Sequence, residues 1–151
     1  MSDRLRQWWL LLLPLSYLLH LAEEWWGGEG FAAWTARAVG SPVSPTRFIV
    51  LNAIVWPVFL LLTIASIFRP RLAWFPTTFA TVVLVNASLH LLGTFATFSY
   101  SPGLITGLLL YFPIGARALS YGRRTLTPRS FQLAVLFGVL IHVAVVVIAF
   151  A

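Results

Sequence analysis

FQLAVLFGVLIHVAVVVIAFA, residues Phe131–Ala151, is an apolar run broken only by Gln132 and His142. At 1.5 Å per residue a helix of this length crosses a hydrocarbon core about 30 Å thick. The polar–apolar alternation of a half-buried strand is absent, and only a helix satisfies its own backbone within such a run. Reading outward, four more runs of the same character appear at Trp8–Trp26, Phe48–Phe68, Leu72–Phe98 and Leu104–Leu119. The expected fold is therefore all-α: an integral membrane bundle of five transmembrane helices forming a single domain over residues 1–151.

The composition agrees. Of 151 residues, 60% are hydrophobic and 9% are charged, with ten arginines, no lysine and four acids. A water-soluble domain carries about 25% charged residues, so a cytosolic enzyme and a disordered tail are excluded. The net charge of +6 does not indicate nucleic acid, because the arginines stand in short clusters between apolar runs. The chain has no cysteine, which removes disulfides, thiolate metal sites and cysteine nucleophiles. The first run continues into Glu23 and Glu24 without a small-x-small cleavage site, so it reads as a span and not a leader.

Arginine placement gives direction. With the N-terminus inside, the inner segments hold Arg4, Arg6, Arg69, Arg71, Arg117, Arg123, Arg124 and Arg129, and the outer ones only Arg37 and Arg47. The N-terminus is expected in the cytoplasm and the C-terminus outside. Arginine without lysine suggests a GC-rich genome, so a bacterial inner membrane is the expected location. The longest connection, residues 27–46, lies outside and is expected to carry a short helix around Phe31–Val39. Pro14, Pro57 and Pro113 fall inside runs and predict kinks; Pro70, Pro102 and Pro128 mark connections.

Ionisable groups within a membrane are costly and mark function by default. Beyond Asp3 the acids are Glu23, Glu24 and Glu29, and all three histidines, His20, His90 and His142, lie in runs, with Asn52 and Asn86. Counted from the helix starts, His20, Glu24, Asn52, Asn86, His90 and His142 fall about 17–27 Å above the inner edge. Four separate helices thus place polar groups in one layer. His20, Glu23 and Glu24 stand at i, i+3 and i+4, and Asn86 and His90 at i and i+4, so each set shares a helix face. Two carboxylates side by side in low dielectric need a cation, a shared proton or a histidinium.

These residues resemble the HXXEE family of small membrane proteins. Its three motifs occur in order: His20-Leu-Ala-Glu23-Glu24, Asn86-Ala-Ser-Leu-His90 and Tyr100-Ser-Pro102-Gly103. The resemblance implies no established activity; it supports treating these residues as a set. In architecture alone the chain is also similar to the sterol isomerase (emopamil-binding) group, with no motif match.

Each feature has a plain structural counterpart. Glu24 beside Trp25 and Trp26 suits an interfacial cap, and Asn86 and His90 suit interhelical bonding. His142 suits packing, Tyr100-x-Pro102-Gly103 suits a helix start, and Glu29 suits solvent. Against these, three functional classes are weighed. The favoured one is a membrane enzyme acting on a lipophilic, lipid- or isoprenoid-like substrate by metal-dependent hydrolysis or related polar chemistry. Its expected cofactor is one divalent metal, zinc, iron or manganese. His20, His90 and Glu23 or Glu24 form a two-histidine, one-carboxylate ligand set with an open position, and His142 is a further candidate ligand. The remaining glutamate serves as general base, Asn86 orients a ligand or substrate, Tyr100 donates from above, and Asn52 and Trp56 contact substrate. The second class is a metal-free acid–base isomerase or cyclase of a sterol- or terpenoid-like substrate. The third is a proton- or cation-coupled carrier, or a non-catalytic membrane subunit. The expected partners are membrane lipid and a lipophilic small molecule, with a homo-oligomer compatible and no nucleic acid.

Overall fold

The computed structural model describes residues 5–151 and is all-helical. Asp3 and Arg4, named above, lie outside the described residues. A 3-10 segment, Leu5–Leu11, leads into α1, Leu12–Trp26. Then follow α2 (Phe31–Val39), α3 (Pro45–Phe68), a 3-10 turn at Pro70–Leu72, α4 (Trp74–Thr97), α5 (Leu104–Thr125) and α6 (Pro128–Phe150).

Among the described residues four helices, α3 to α6, are long and apolar enough to cross a membrane. The first run, expected as a fifth span, is not among these four, because it is divided between the 3-10 segment and α1. Pro14 does not kink a long helix there. It occupies the first turn of α1, where a missing N–H needs no intrahelical partner, and the residues before it wind as 3-10. The α-helical part of that run is 15 residues. The other helix starts follow local chemistry. Ser44 and Thr127 accept from the backbone N–H of Arg47 and Ser130, and each is followed by proline at the first helical position. Pro128 therefore begins a helix and does not simply mark a connection. Pro57 is held inside a continuous α3. Pro113 acts differently: the stretch Gly107–Tyr111 before it is a π turn. Pro113 lacks an N–H and its ring crowds the carbonyl four residues back, and a widened turn relieves both.

The centre of the bundle is α4, which packs on both α5 and α6 through small residues. A Cβ on Gly122 would meet the Thr77 side chain at 2.1 Å, and one on Gly138 the Thr81 Cβ at 2.5 Å. Close backbone approach through small residues is the usual adhesive of helices in lipid. Leu13, Phe59, Phe79, Val83 and Tyr111 fill the core, where Phe59 and Phe79 stack with centroids 3.9 Å apart.

Polarity runs from inside to outside. Ser16, His20, Glu24, Thr63, Thr78, His90 and His142 are buried, while Leu19, Ile54, Leu61, Leu92, Leu109 and Val147 are exposed. Such an exterior is consistent with an integral membrane protein. The expected helix in the long connection is present at Phe31–Val39. It folds inward: Trp34 fits against Gly93, where an added Cβ would lie 2.7 Å from the indole, and its Nε1 donates to Ser99 Oγ at 3.3 Å.

Candidate metal centre

His20 and Glu24 are one turn apart on α1, and His90 comes from α4. His20 Nε2 lies 3.5 Å and His90 Nε2 lies 3.2 Å from the same carboxylate oxygen, Glu24 Oε1. All three side chains are buried, and one ligand atom from each lies within 4.8 Å of the others. The rings meet edge to face at 5.0 Å, with Phe31 of α2 5.4 Å from His90 and Tyr111 stacked on His20 at 4.3 Å.

The other face of each imidazole is tied down. His20 Nδ1 is 2.8 Å from Thr106 Oγ1, and His90 Nδ1 is 3.0 Å from Ser101 Oγ. The Thr106 hydroxyl donates its single proton to Glu23 Oε2. Thr106 Oγ1 must therefore accept from His20 Nδ1–H. Neutral His20 then presents the Nε2 lone pair toward Glu24, and this nitrogen has no hydrogen-bond partner. A ring lone pair facing a carboxylate oxygen at 3.5 Å calls for a proton or a cation between them.

Glu23 plays another part. Its Oε1 accepts from the Tyr100 hydroxyl and from Ile105 N–H at 2.8 Å, and its Oε2 accepts from the Thr106 hydroxyl and from Thr106 N–H at 2.6 Å. These four bonds use the four acceptor directions of a carboxylate. Glu23 thus caps the start of α5 from a different helix, where the unpaired N–H groups and the helix dipole favour an anion. It is neither a ligand nor a free base in this geometry. Tyr100 donates to Glu23 and not into the cluster; burial first, and then Glu23, hold its phenol well above the ordinary value, so it remains a donor.

Gly103 explains the Tyr-x-Pro-Gly motif. Its φ is 105°, and a Cβ there would lie 2.8 Å from His20 Cε1 and 2.7 Å from His90 Cε1. Only glycine fits both the backbone and the space between the two rings.

The cluster forms one wall of a cavity of about 310 Å³, also lined by Asn52, Asn86, Tyr111 and His142 among mostly apolar side chains. The layer read from helix depths is thus assembled around one space, but with a division. His20, Glu24 and His90 come together as a group that could hold a metal ion. Asn86 and His142 face the cavity outside that group, and Asn52 bonds Tyr17 and the Phe48 carbonyl. Trp56 does not line this cavity; its Nε1 donates to the Pro14 carbonyl at 2.9 Å. Glu29 is exposed and paired with Arg37. Thr106, Ser101 and Tyr111 were not singled out in the sequence. Thr106 stands three residues past Gly103, where a hydroxyl at a helix start was the one available signal.

The fold and site define an all-helical, membrane-type bundle with a buried histidine–carboxylate cluster beside an apolar cavity. The family model described as a protein of unknown function with HXXEE motif matches residues 11–118, more than two thirds of the chain, and the chain belongs to that family. No curated protein and no solved structure matches the chain.

Proposed function

We propose that the protein is a membrane-embedded enzyme that binds one divalent metal at His20, Glu24 and His90 and acts on a lipophilic substrate held in the adjoining cavity. The observation that carries this is the pair of Nε2 atoms converging on Glu24 Oε1 at 3.5 and 3.2 Å. A tetrahedral site with bonds of about 2.0–2.1 Å has ligand–ligand edges of about 3.3–3.4 Å. The hydroxyls at both Nδ1 atoms support the same reading, because metal-binding histidines are oriented through their second nitrogen. Two histidines and one carboxylate leave a coordination position open, the pattern of catalytic zinc and non-haem iron sites. A bound ion would supply Lewis acidity and an activated water for hydrolysis of an ester- or amide-like bond. The chain's own contribution is to hold the ligands rigid through Thr106 and Ser101, to stack Tyr111 on His20, and to keep bulk water away with Phe31.

The membrane arrangement is part of the proposal. The seven-residue 3-10 segment and the 15-residue α1 together rise about 14 Å plus about 22 Å, enough for a fifth crossing. Eight arginines against two then favour a cytoplasmic N-terminus in a bacterial inner membrane.

The test is metal content of untagged, detergent-purified protein, wild type beside His20→Ala, His90→Ala and Glu24→Gln. Near-stoichiometric zinc, iron or manganese in wild type and its loss in all three variants is the expected result. Intact stoichiometry in the variants overturns the assignment. A metal-free wild type overturns it too, and turns the cluster to acid–base chemistry between Glu24 and His20.

A further inference from the structure

Asn86 on α4, Tyr111 at the end of the π turn in α5 and His142 on α6 line the cavity from three different helices. Each has a buried polar atom without a hydrogen-bond partner: Asn86 Oδ1, Tyr111 Oη and His142 Nε2. Tyr111 is 1% and His142 is 4% exposed. The metal cluster does not account for them, since its ligand set is His20, Glu24 and His90. Buried polar groups in native proteins are almost always paired, and leaving one unpaired costs stability. Among the described residues, three such groups on one cavity are a poor way to hold helices together. They are an ordinary way to receive a ligand, since binding pockets are apolar spaces with a few convergent polar groups.

The charge of the lining narrows the ligand. Among the described residues no arginine lines the cavity, and the chain has no lysine, while Glu24 contributes an acid. A phosphate or carboxylate headgroup would enter without a side-chain cation dedicated to it, and charged groups are not buried unpaired. An uncharged oxygen matches what is present: the tyrosine hydroxyl donates, the asparagine oxygen accepts, and the imidazole can do either.

We propose that Asn86, Tyr111 and His142 form a second, metal-independent subsite that binds the uncharged oxygen function, a hydroxyl or carbonyl, of an otherwise apolar molecule filling the cavity. This rests on the reading of the cavity as a substrate chamber, though not on the metal. It gives the substrate's oxygen its own polar partners beside the proposed metal, whose ligand His20 is stacked on Tyr111. It also makes the protein a receptor for neutral lipophiles in preference to phospholipid or prenyl phosphates.

The experiment is a thermal-shift titration of detergent-solubilised protein with farnesol, farnesane and farnesyl phosphate, which share a carbon skeleton, with hexahydrofarnesol as the alcohol that matches the saturation of farnesane. Ligands that bind the native state raise the Tm. Farnesol and hexahydrofarnesol are expected to raise the Tm of wild type, and farnesane and farnesyl phosphate to do so much less. Tyr111→Phe, His142→Leu and Asn86→Leu each remove an unpaired group. Each is expected to melt no lower than wild type when empty, yet to bind farnesol at least tenfold more weakly. Overturning results are a shift from farnesane equal to that from hexahydrofarnesol, a shift from farnesyl phosphate as large as from farnesol, or no response to farnesol or the shorter geraniol. Variants that melt lower and keep the full farnesol response also overturn it, because they would make these groups packing partners. The same titration on Glu24→Gln separates the two proposals. A farnesol response that persists in a protein without metal leaves this subsite standing if the metal centre fails. A metal-loaded wild type that does not distinguish the alcohols from farnesane and farnesyl phosphate sinks the subsite alone.

Discussion

At the residue scale, the decisive contrast is between Glu23 and Glu24. Successive helical residues turn by about 100°, so Glu24 stays above His20 while Glu23 swings toward α5. Sequence spacing puts both near His20 and does not say which neighbour each will meet. Thr106 joins the two: its hydroxyl donates to Glu23 and accepts from His20. Thr106→Val preserves the volume, strands the His20 Nδ1–H and deprives Glu23 of a donor. If the metal binds as proposed, its affinity is expected to fall about 10–100-fold, measured by competition with a chelating dye, while Thr106→Ser retains it. An unchanged affinity in the valine variant would show that this hydroxyl does not position the ring. Gly103→Ala should be harsher. Its methyl would press on both imidazoles while the backbone keeps a φ of 105°, at a cost of about 1–3 kcal/mol for the backbone alone. A lower Tm together with lost metal is expected. The histidines and glutamates were legible because charge inside an apolar run is anomalous. Ser101, Thr106 and Tyr111 were not, because hydroxyls and aromatics in a bundle look like ordinary interhelical contacts.

At the element scale, the hydropathy runs located every long helix, but the details at prolines required the fold. Pro14 became a helix start, Pro57 stayed within α3, and Pro113 produced a π turn. That turn sets the rotation of Thr106 and Tyr111 against the rest of α5. Pro113→Ala restores an N–H and allows the turn to relax into regular α-helix, rotating the first part of α5 by about 100°. Unchanged helicity by circular dichroism with at least tenfold weaker metal binding is expected. Full affinity in this variant would separate the π turn from the site. Helix α2 gives a different case. Glu29 and Arg37 are exposed and bonded, and the Arg37 hydrogen bond holds the Glu29 carboxyl below its ordinary value. A lowered folded-state pKa means that the contact contributes at neutral pH and is lost as the pH falls through that lowered value. Such exposed pairs contribute little and less in high salt, so Trp34 against Gly93 is the main attachment. Glu29→Gln is therefore expected to leave the neutral-pH Tm unchanged and to abolish any acid-induced loosening of α2 seen by hydrogen exchange. A clear drop in Tm at neutral pH would make the pair a principal anchor.

At the scale of the whole molecule, charge and contact divide the bundle into two ends. Arg117 of α5 stacks 4.6 Å from the Trp9 ring centroid, which brings the N-terminal segment to the basic end of α5. Arg69, Arg71 and Arg129 belong to the connections at that end, between α3 and α4 and at the start of α6. The Glu29–Arg37 pair, Ser99 and Tyr100 occupy the other end, on the side of the His20–Glu24–His90 cluster. If the basic end is cytoplasmic, the cluster and its cavity lie in the outer half of the bilayer, the side from which the proposed substrate would enter. The absence of cysteine makes this directly measurable with single introduced thiols and a membrane-impermeant maleimide. Ala36→Cys on exposed α2 is expected to label in intact cells. Ser130→Cys at the start of α6 is expected to label only after permeabilisation, and the reverse pattern would invert the molecule. Gln7→Cys then decides the number of crossings. The 3-10 segment and α1 form a fifth crossing if Gln7→Cys behaves as Ser130→Cys does. If it labels from outside with Ala36→Cys, the first run does not cross, and the N-terminal segment does not reach the basic end where the Trp9–Arg117 contact puts it.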